Sequence, residues 1–403
     1  MTRNFEPPDV LEVSDPDAGL TGWLAVDSVV DGHFCGGLRM LPDVSARELA
    51  MLARAMTLKH GFLGIPHGGA KAGILCSEDA SGGQRAGLLA AFGRQLEDLL
   101  AARTYLPGSD MGTSDQDIRD MLGELGIRVP RRALRGPESG WYTSLTVIAA
   151  ARAASVARGF DLREATVAIE GFGDVGGAVA RGLDELGSKI VAVSTRRGAL
   201  YSPQGLDVAE LHRACREQGP EVVDHYQGAQ KIDRESLLEL EVDVLVPCAR
   251  HHSIHRDNVR KIKARAISCG ANVPATEEAE KLLADRGILC IPDFVANAGG
   301  VLGGTMEFAG IRPPSIASFV DTHFMRQVSH VIDRARREGA YIREVAESIA
   351  TERFTRMREA SGNRSLRKKV FSFAMDLYRN GLIPSLCVGA LARPYFRRRM
   401  DGH

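Results

Sequence analysis

Residues 166 to 176 read Thr-Val-Ala-Ile-Glu and then Gly-Phe-Gly-Asp-Val-Gly. A buried-strand run, a turn with three spaced glycines and a helical pattern through Leu186 are the opening of a βαβ unit. In such a unit Gly171 permits the tight turn, Gly173 lets the backbone approach a pyrophosphate, and Gly176 lets helix and strand pack closely. Asp174 and Val175 fall at the helix start, where free N–H groups and the positive dipole end face an anion. Taken alone the glycines are also compatible with a purely structural turn. The residues that follow favour the nucleotide reading. Strand-like runs at 189–194, 242–246, 266–269 and 288–291 alternate with helical patterns at 206–215, 255–263 and 276–286. That alternation predicts a parallel, doubly wound sheet.

A dinucleotide site for NAD carries an acid about 20 residues beyond the fingerprint, at the end of the next strand. Here that strand ends Ser194-Thr195-Arg196-Arg197-Gly198, with no acid. The missing carboxylate removes repulsion against a 2′-phosphate, and Arg196 or Arg197 offers it a cation. NADP is therefore favoured, with NAD as the alternative if the arginines are solvated turn residues.

The N-terminal third has a different pattern. Strand-like runs at Val10–Val13 and Trp23–Val30 flank a turn, and a helix follows at Ala46–Leu58 with Ser45 and Glu48 as a capping pair. A strand is expected at Ala72–Cys76, a helix at Gly83–Ala102, a short strand or loop at Tyr105–Pro107, and a helix running to Leu125. Within this region Met56 to Lys71 holds two lysines twelve residues apart, Lys59 at a helix end and Lys71 after His67-Gly68-Gly69-Ala70. Glycines permit close approach, and a desolvated lysine loses its charge more easily and becomes useful for acid–base chemistry. A surface lysine on a glycine turn is the simpler alternative. The basic stretch Arg131–Gly136 marks a boundary, so the expected organisation is 1–137, 138–345 and 346–403. These are an α/β domain, a Rossmann-like domain entered by a helix from Ser139 to Ala157, and C-terminal helices packing back on the first domain. The chain is expected to be all helical from Ser315 to about Leu382. The basic end (Arg393, Arg397, Arg398, Arg399) is expected to be mobile.

Composition excludes several partners. Lys plus Arg and Asp plus Glu are both 51, so no net charge argues for nucleic acid or a membrane surface. Seven cysteines include no Cys-x-x-Cys pair, and no His/Cys cluster has zinc spacing, so no metal site is expected. Free thiols suggest a reducing compartment. The N-terminal residues lack the apolar run of a signal peptide, and no stretch reaches the roughly 18 apolar residues of a bilayer span. The expected compartment is the cytoplasm.

Several segments, in order, resemble the glutamate, leucine, phenylalanine and valine dehydrogenases from about Gly19 to Gly310. They are Gly36-Gly37-Leu38-Arg39-Met40, Ala55-Met56-Thr57-Leu58-Lys59, Gly68-Gly69-Ala70-Lys71-Ala72-Gly73, Asp110-Met111-Gly112-Thr113, the Gly171–Gly176 fingerprint, Gly270-Ala271-Asn272 and Asn297-Ala298-Gly299-Gly300-Val301. The resemblance implies reversible oxidative deamination of an L-amino acid to a 2-oxo acid and ammonia. It implies Lys59 as anchor of the substrate α-carboxylate, with Gly37 and Met56 beside the substrate. Lys71 would polarise the carbonyl and activate water, and Asp110 would shuttle protons. Thr143, Asn272 and Asn297 match positions near the nicotinamide and its ribose. Singly, Asp110 is also compatible with a helix cap, and the asparagines with turns. Relatives are homo-oligomers joined through the first domain, with substrate in an interdomain cleft, and the same is expected here.

The chain departs from the glutamate-specific pattern at two positions. A lysine before Gly-Gly-Leu-Arg and a serine after Asn-Ala-Gly-Gly meet the side-chain carboxylate of glutamate in that branch; here they are Cys35 and Gly304. A buried carboxylate without cation or hydroxyl is costly. A neutral amino acid is therefore the expected substrate. The alternatives are a glutamate dehydrogenase with an unusual pocket and a nucleotide-binding regulatory subunit without catalysis. Thr305–Gly310 fits neither branch, and Cys269 stands where many relatives have Glu.

Overall fold

The computed structural model describes residues 8–127, 139–361, 374–375 and 377–400. By contacts the chain divides into two units, Met1–Arg135 with Ile349–Ser385, and Gly136–Ser348 with Leu386–His403. The boundary stretch Arg131–Gly136 lies outside the described residues.

The first unit is built on five strands, β1 Asp9–Asp15, β2 Leu20–Val26, β3 Phe34–Leu41, β4 Gly68–Leu75 and β5 Tyr105–Ser109, in the order β1-β2-β4-β3-β5. β3 runs parallel to both β4 and β5, and β2 runs antiparallel to β4 and β1. Leu24, Phe34, Leu38, Met40, Ala72, Ile74 and Phe92 bury in one core around this sheet. A buried side chain of this size contributes about 2 kcal/mol. The helix Ala46–Leu63 starts where Ser45 accepts a bond from the Glu48 amide. It continues past its expected end at Leu58, because Phe62 and Leu63 are buried and its stop is Gly64, left-handed at φ 66°. Late in the chain the first unit resumes: the carbonyl of Ala350 lies against Gly61, and Arg353 Nη1 donates to the Phe62 carbonyl at 2.7 Å.

Two expectations for this unit need correction. The helix at 83–102 is two pieces, Gly82–Gln95 and Glu97–Ala101, because Leu96 leaves helical geometry (φ −110°, ψ 15°) to bury its side chain. The glycine turn expected before Lys71 is strand: β4 begins at Gly68 rather than at Ala72, and Gly68, Gly69 and Ala70 are buried within it.

The second unit holds seven strands, β6 Thr166–Glu170, β7 Lys189–Thr195, β8 Gly198–Tyr201, β9 Gln230–Ile232, β10 Val244–Pro247, β11 Ala266–Ser268 and β12 Leu289–Ile291. Their order is β12-β11-β10-β6-β7-β8-β9. From β12 to β7 all neighbours are parallel, the Rossmann-like sheet expected from sequence; β8 and β9 add an antiparallel edge. Strand order reverses at β6 and β10, where ligands bind in such sheets. The expected helix at 255–263 is a set of turns with one short 3₁₀ piece, Val259–Lys261. Asn258 accepts from the His255 amide and donates to the Ser253 carbonyl, side-chain bonds that compete with helix. The basic C-terminus is the helix Ser385–Met400, not a loose tail. Phe396 and Met400, one turn apart, are buried, and Arg393 donates to Ser315 Oγ at 3.1 Å. No described helix is long and apolar enough to cross a membrane.

Candidate active site

In the first unit, the chemistry gathers along one face of β3. Side chains alternate faces along a strand, so Cys35, Gly37 and Arg39 share a side. β4 brings Lys71 to that side and the end of β5 brings Asp110. Lys71 Nζ lies 2.7 Å from Asp110 Oδ2, with 5 and 13% of the two side chains exposed. Arg39 Nε donates to the same oxygen at 3.1 Å, and Arg39 Nη1 binds Glu48 Oε1. The Asp110 amide donates to Thr113 Oγ1 at 3.0 Å, and that hydroxyl donates to the Leu38 carbonyl at 2.7 Å, which fixes the turn to β3. Burial alone raises the Asp110 pKa. Lys71 and Arg39 outweigh it and hold the carboxyl well below the usual range.

Gly37 leaves room for this pair. A methyl there would sit 2.9 Å from Asp110 Cβ and 3.2 Å from Lys71 Nζ. Gly69 has a similar role two residues before Lys71, where a methyl would collide with the Thr57 amide at 2.3 Å. That contact brings the two lysine segments together at the backbone level. Lys59, 5% exposed, and Met56, half-buried, lie one turn apart on the helix Ala46–Leu63. Cys35 is half-buried, and burial pushes its thiol up to about 11 against the pull of Lys71, so the position is uncharged near neutral pH. Tyr105 OH donates to the Gly36 carbonyl at 3.0 Å.

The second unit assembles the remaining residues. Gly171 adopts φ 90° at the end of β6, and its amide donates to Ser194 Oγ at 2.9 Å, which ties the fingerprint turn to β7. A methyl on Gly176 would lie 1.8 Å from the Gly171 carbonyl, so helix and turn pack backbone to backbone. Gly173 begins the helix Asp174–Leu186 without any side-chain cap, and a methyl on it would meet nothing within 4 Å. An uncapped helix start with an open approach fits a pyrophosphate. Val175 and Asp174 lie in its first turn.

Thr195 donates to the Pro220 carbonyl at 2.8 Å, and Arg196 and Arg197 form the two-residue turn between β7 and β8. Arg196, Arg197, Lys231 and Arg234 line one surface groove with Asp233 and Glu235. Arg197 lies 3.5 Å from Asp224, which Lys231 also contacts. Asn297 donates to the Ala271 carbonyl at 2.9 Å and to Asn272 Oδ1 at 3.1 Å; its own buried oxygen has no partner among the described residues. Thr143 joins this cluster indirectly: Thr146 Oγ1 donates to its carbonyl at 3.0 Å and accepts from the Gly299 amide at 2.8 Å. Gly304 is exposed with open space around it, whereas Gly303 packs on the Tyr142 ring. Lys71, Asp110, Gly37 and Cys35 thus form one cluster, the fingerprint and the β7 turn a second, and the asparagines a third. Lys59 and Met56 lie on the helix beside the first. Among the described residues no group of three or more His, Cys, Asp or Glu is placed to hold a metal.

Arg39, Glu48 and Ser194 were not singled out as site residues from sequence. For Arg39 the signal was there: it lies two and four residues beyond Gly37 and Cys35, on their face of the strand.

A lysine–carboxylate pair at a glycine-lined strand and an uncapped fingerprint helix on a parallel sheet are features that a dinucleotide-dependent dehydrogenase requires. The family model for Glutamate/Leucine/Phenylalanine/Valine dehydrogenase matches residues 140–362, and that for the Glu/Leu/Phe/Val dehydrogenase dimerisation domain matches 7–126. The chain belongs to this family and is an NAD(P)-dependent amino acid dehydrogenase. It is 37% identical over 303 residues to a glutamate dehydrogenase of Thermotoga maritima, covering 72% of each chain. It is 35% identical over 321 residues to NAD-specific glutamate dehydrogenase A of Halobacterium salinarum, covering 75% of this chain and 73% of that one. Among solved structures it resembles the hetero-hexameric glutamate dehydrogenase of Thermus thermophilus in its Leu bound form. The TM-score is 0.77 at 29% identity, over 89% of this chain and 91% of that one.

Proposed function

We propose that the chain oxidatively deaminates a neutral L-amino acid, reversibly, with NADP preferred over NAD. The observation that carries the substrate reading is Cys35, an uncharged thiol on the site face of β3 where glutamate-specific relatives have lysine. Gly304 adds no hydroxyl. In this reading residues 1–137 recognise substrate and 138–345 bind the dinucleotide; of the C-terminal residues 346–403 expected to brace the first domain, Ile349–Ser385 join it, whereas Leu386–His403 belong to the second unit.

Lys59 anchors the α-carboxylate. In the first unit Cys35, Gly37 and Met56 border the side chain. Lys71 polarises the 2-oxo carbonyl and orients the attacking water, and Asp110 carries the proton between that water, the carbinolamine and the amino group. Bound nicotinamide supplies the hydride acceptor. Gly171, Gly173, Asp174, Val175 and Gly176 hold the pyrophosphate, and Thr143, Asn272 and Asn297 the nicotinamide end. Thr195, Arg196 and Arg197 meet the adenosine ribose, where the basic groove suits a 2′-phosphate. The dimerisation-domain match and the hexameric Thermus relative support assembly as an oligomer of this chain through the first unit.

A second reading, glutamate dehydrogenase, is favoured by the names of the most similar relatives, some of them NAD-specific. Ammonia-dependent oxidation of NADH and of NADPH over 2-oxoglutarate, 2-oxoisocaproate and phenylpyruvate separates the two. Strong preference for 2-oxoglutarate overturns the neutral-substrate reading. Nucleotide binding without turnover of any 2-oxo acid would point to a regulatory subunit instead.

A further inference from the structure

We infer that Arg39 is the positioning residue for Asp110, holding this carboxylate in place when Lys71 turns to substrate. The inference rests on the reading of Lys71 and Asp110 given above. Asp110 Oδ2 accepts from two cations at once, Lys71 Nζ at 2.7 Å and Arg39 Nε at 3.1 Å. The two cannot have the same role. A lysine that polarises a substrate carbonyl has to give up part of its bond to the carboxylate, since one ammonium cannot point all its donors both ways. Arg39 has no such second duty. It is 4% exposed, and its other end is fixed by Glu48, itself buried near the start of the helix Ala46–Leu63. The planar guanidinium thus bridges two carboxylates from different elements, a geometry a lysine cannot reproduce.

The string Glu48–Arg39–Asp110–Lys71 alternates in sign, so each buried charge has an opposite neighbour. Other ionisable groups near Asp110 are Tyr105 on β5 and Cys35 beside Lys71, both neutral near pH 7 because their pKa values are raised. Asp115 is engaged by Ser109 Oγ at 2.6 Å. Arg39 is therefore the cation that keeps Asp110 ionised once Lys71 is engaged elsewhere.

The test is kcat/KM against pH from 5 to 9 for wild type, Arg39→Met, Arg39→Lys and Glu48→Gln, with the nucleotide KM as a check on folding. Arg39→Met is expected to lose about 100-fold in kcat, as for a displaced catalytic group. It should also gain an acid limb displaced upward by about one to two pH units as Asp110 loses a counter-charge. Arg39→Lys restores the charge without the fork, so it recovers the pH profile more than kcat. Glu48→Gln keeps an acceptor for Arg39 Nη1 and leaves the Arg39 charge beside Asp110, so whatever it loses in kcat its acid limb is not displaced upward. If Arg39→Met fails to fold, the charge-balanced Arg39→Met/Glu48→Gln pair carries the same expectation. A wild-type pH profile in the folded Arg39→Met variant overturns the inference, as does a Glu48→Gln variant that reproduces the Arg39→Met profile. Failure of the underlying reading is seen separately: Lys71→Ala would then turn over as fast as wild type.

Discussion

Lys71 Nζ stands 2.7 Å from Asp110 Oδ2, a strand-borne lysine against a carboxylate from the turn after β5. Both are nearly buried, so each is the main answer to the other's desolvation. Removing one leaves a buried charge, and such losses cost about 3–5 kcal/mol. Lys71→Ala and Asp110→Asn are each expected to lower kcat by at least about 100-fold. The nucleotide KM should change by less than about twofold, since the fingerprint lies in the other unit. Steady-state kinetics in both directions checks this.

Cys35 offers a gain-of-function test. Cys35→Lys places a cation where a side-chain carboxylate would lie, and the ratio of kcat/KM for 2-oxoglutarate over 2-oxoisocaproate should rise by about tenfold or more. An unchanged ratio removes this position from the substrate pocket.

For the dinucleotide, Thr195→Asp introduces the acid that the end of β7 lacks. Repulsion against a 2′-phosphate should raise the KM for NADPH by about tenfold while that for NADH falls or stays. Arg196→Ala with Arg197→Ala should weaken NADPH alone, and increasingly little as salt is added. If both variants treat NADH and NADPH alike, the groove beside them is not a phosphate site.

How much of this was legible follows from the kind of signal each residue carries. Lys71 and Gly171 stand inside short, dense motifs; Gly171 lies where the sequence placed it, at the end of β6, whereas Lys71, expected after a glycine turn, is inside β4 because Gly68 to Ala70 pair as strand. Arg39 is written in the same segment as Gly37, but its partner Glu48 is nine residues away on a helix and Asp110 is 71 away. Such pairs exist only once β3, β4 and β5 lie side by side. Leu96 breaks a helix without a glycine or proline, because burial overrides local propensity. The short strands β8 and β9 carry too few residues for a period to show.

His60 and His67 give a pH prediction. Their rings lie 6.0 Å apart, and neither Nδ1 has a hydrogen-bond partner among the described residues. Burial pushes His60 down to about 3, helped by His67 and Lys59; burial pushes His67 down to about 4, helped by His33 and Arg379. Unfolded, both return to about 6.5, so the unfolded chain binds more protons between these values. Stability from this source is present above about pH 6.5 and is lost as pH falls toward 4 and then 3, on the order of 3 kcal/mol for His67. Urea midpoints at pH 7, 6, 5 and 4 should fall steadily. His67→Phe, which has no proton to take up, should flatten the fall.

Neither unit is a continuous piece of chain. The first needs Ile349–Ser385 and the second needs Leu386–His403. During synthesis the N-terminal sheet emerges early and then waits, with Gly61 and Phe62 uncovered, until the segment bearing Ala350 and Arg353 has left the ribosome. Nascent chains of this kind cannot complete one unit before starting the next, the usual order for domains strung end to end. A gene cut after residue 135 would not yield two self-sufficient halves, and a chain ending at Ser348 would lose the closing pieces of both.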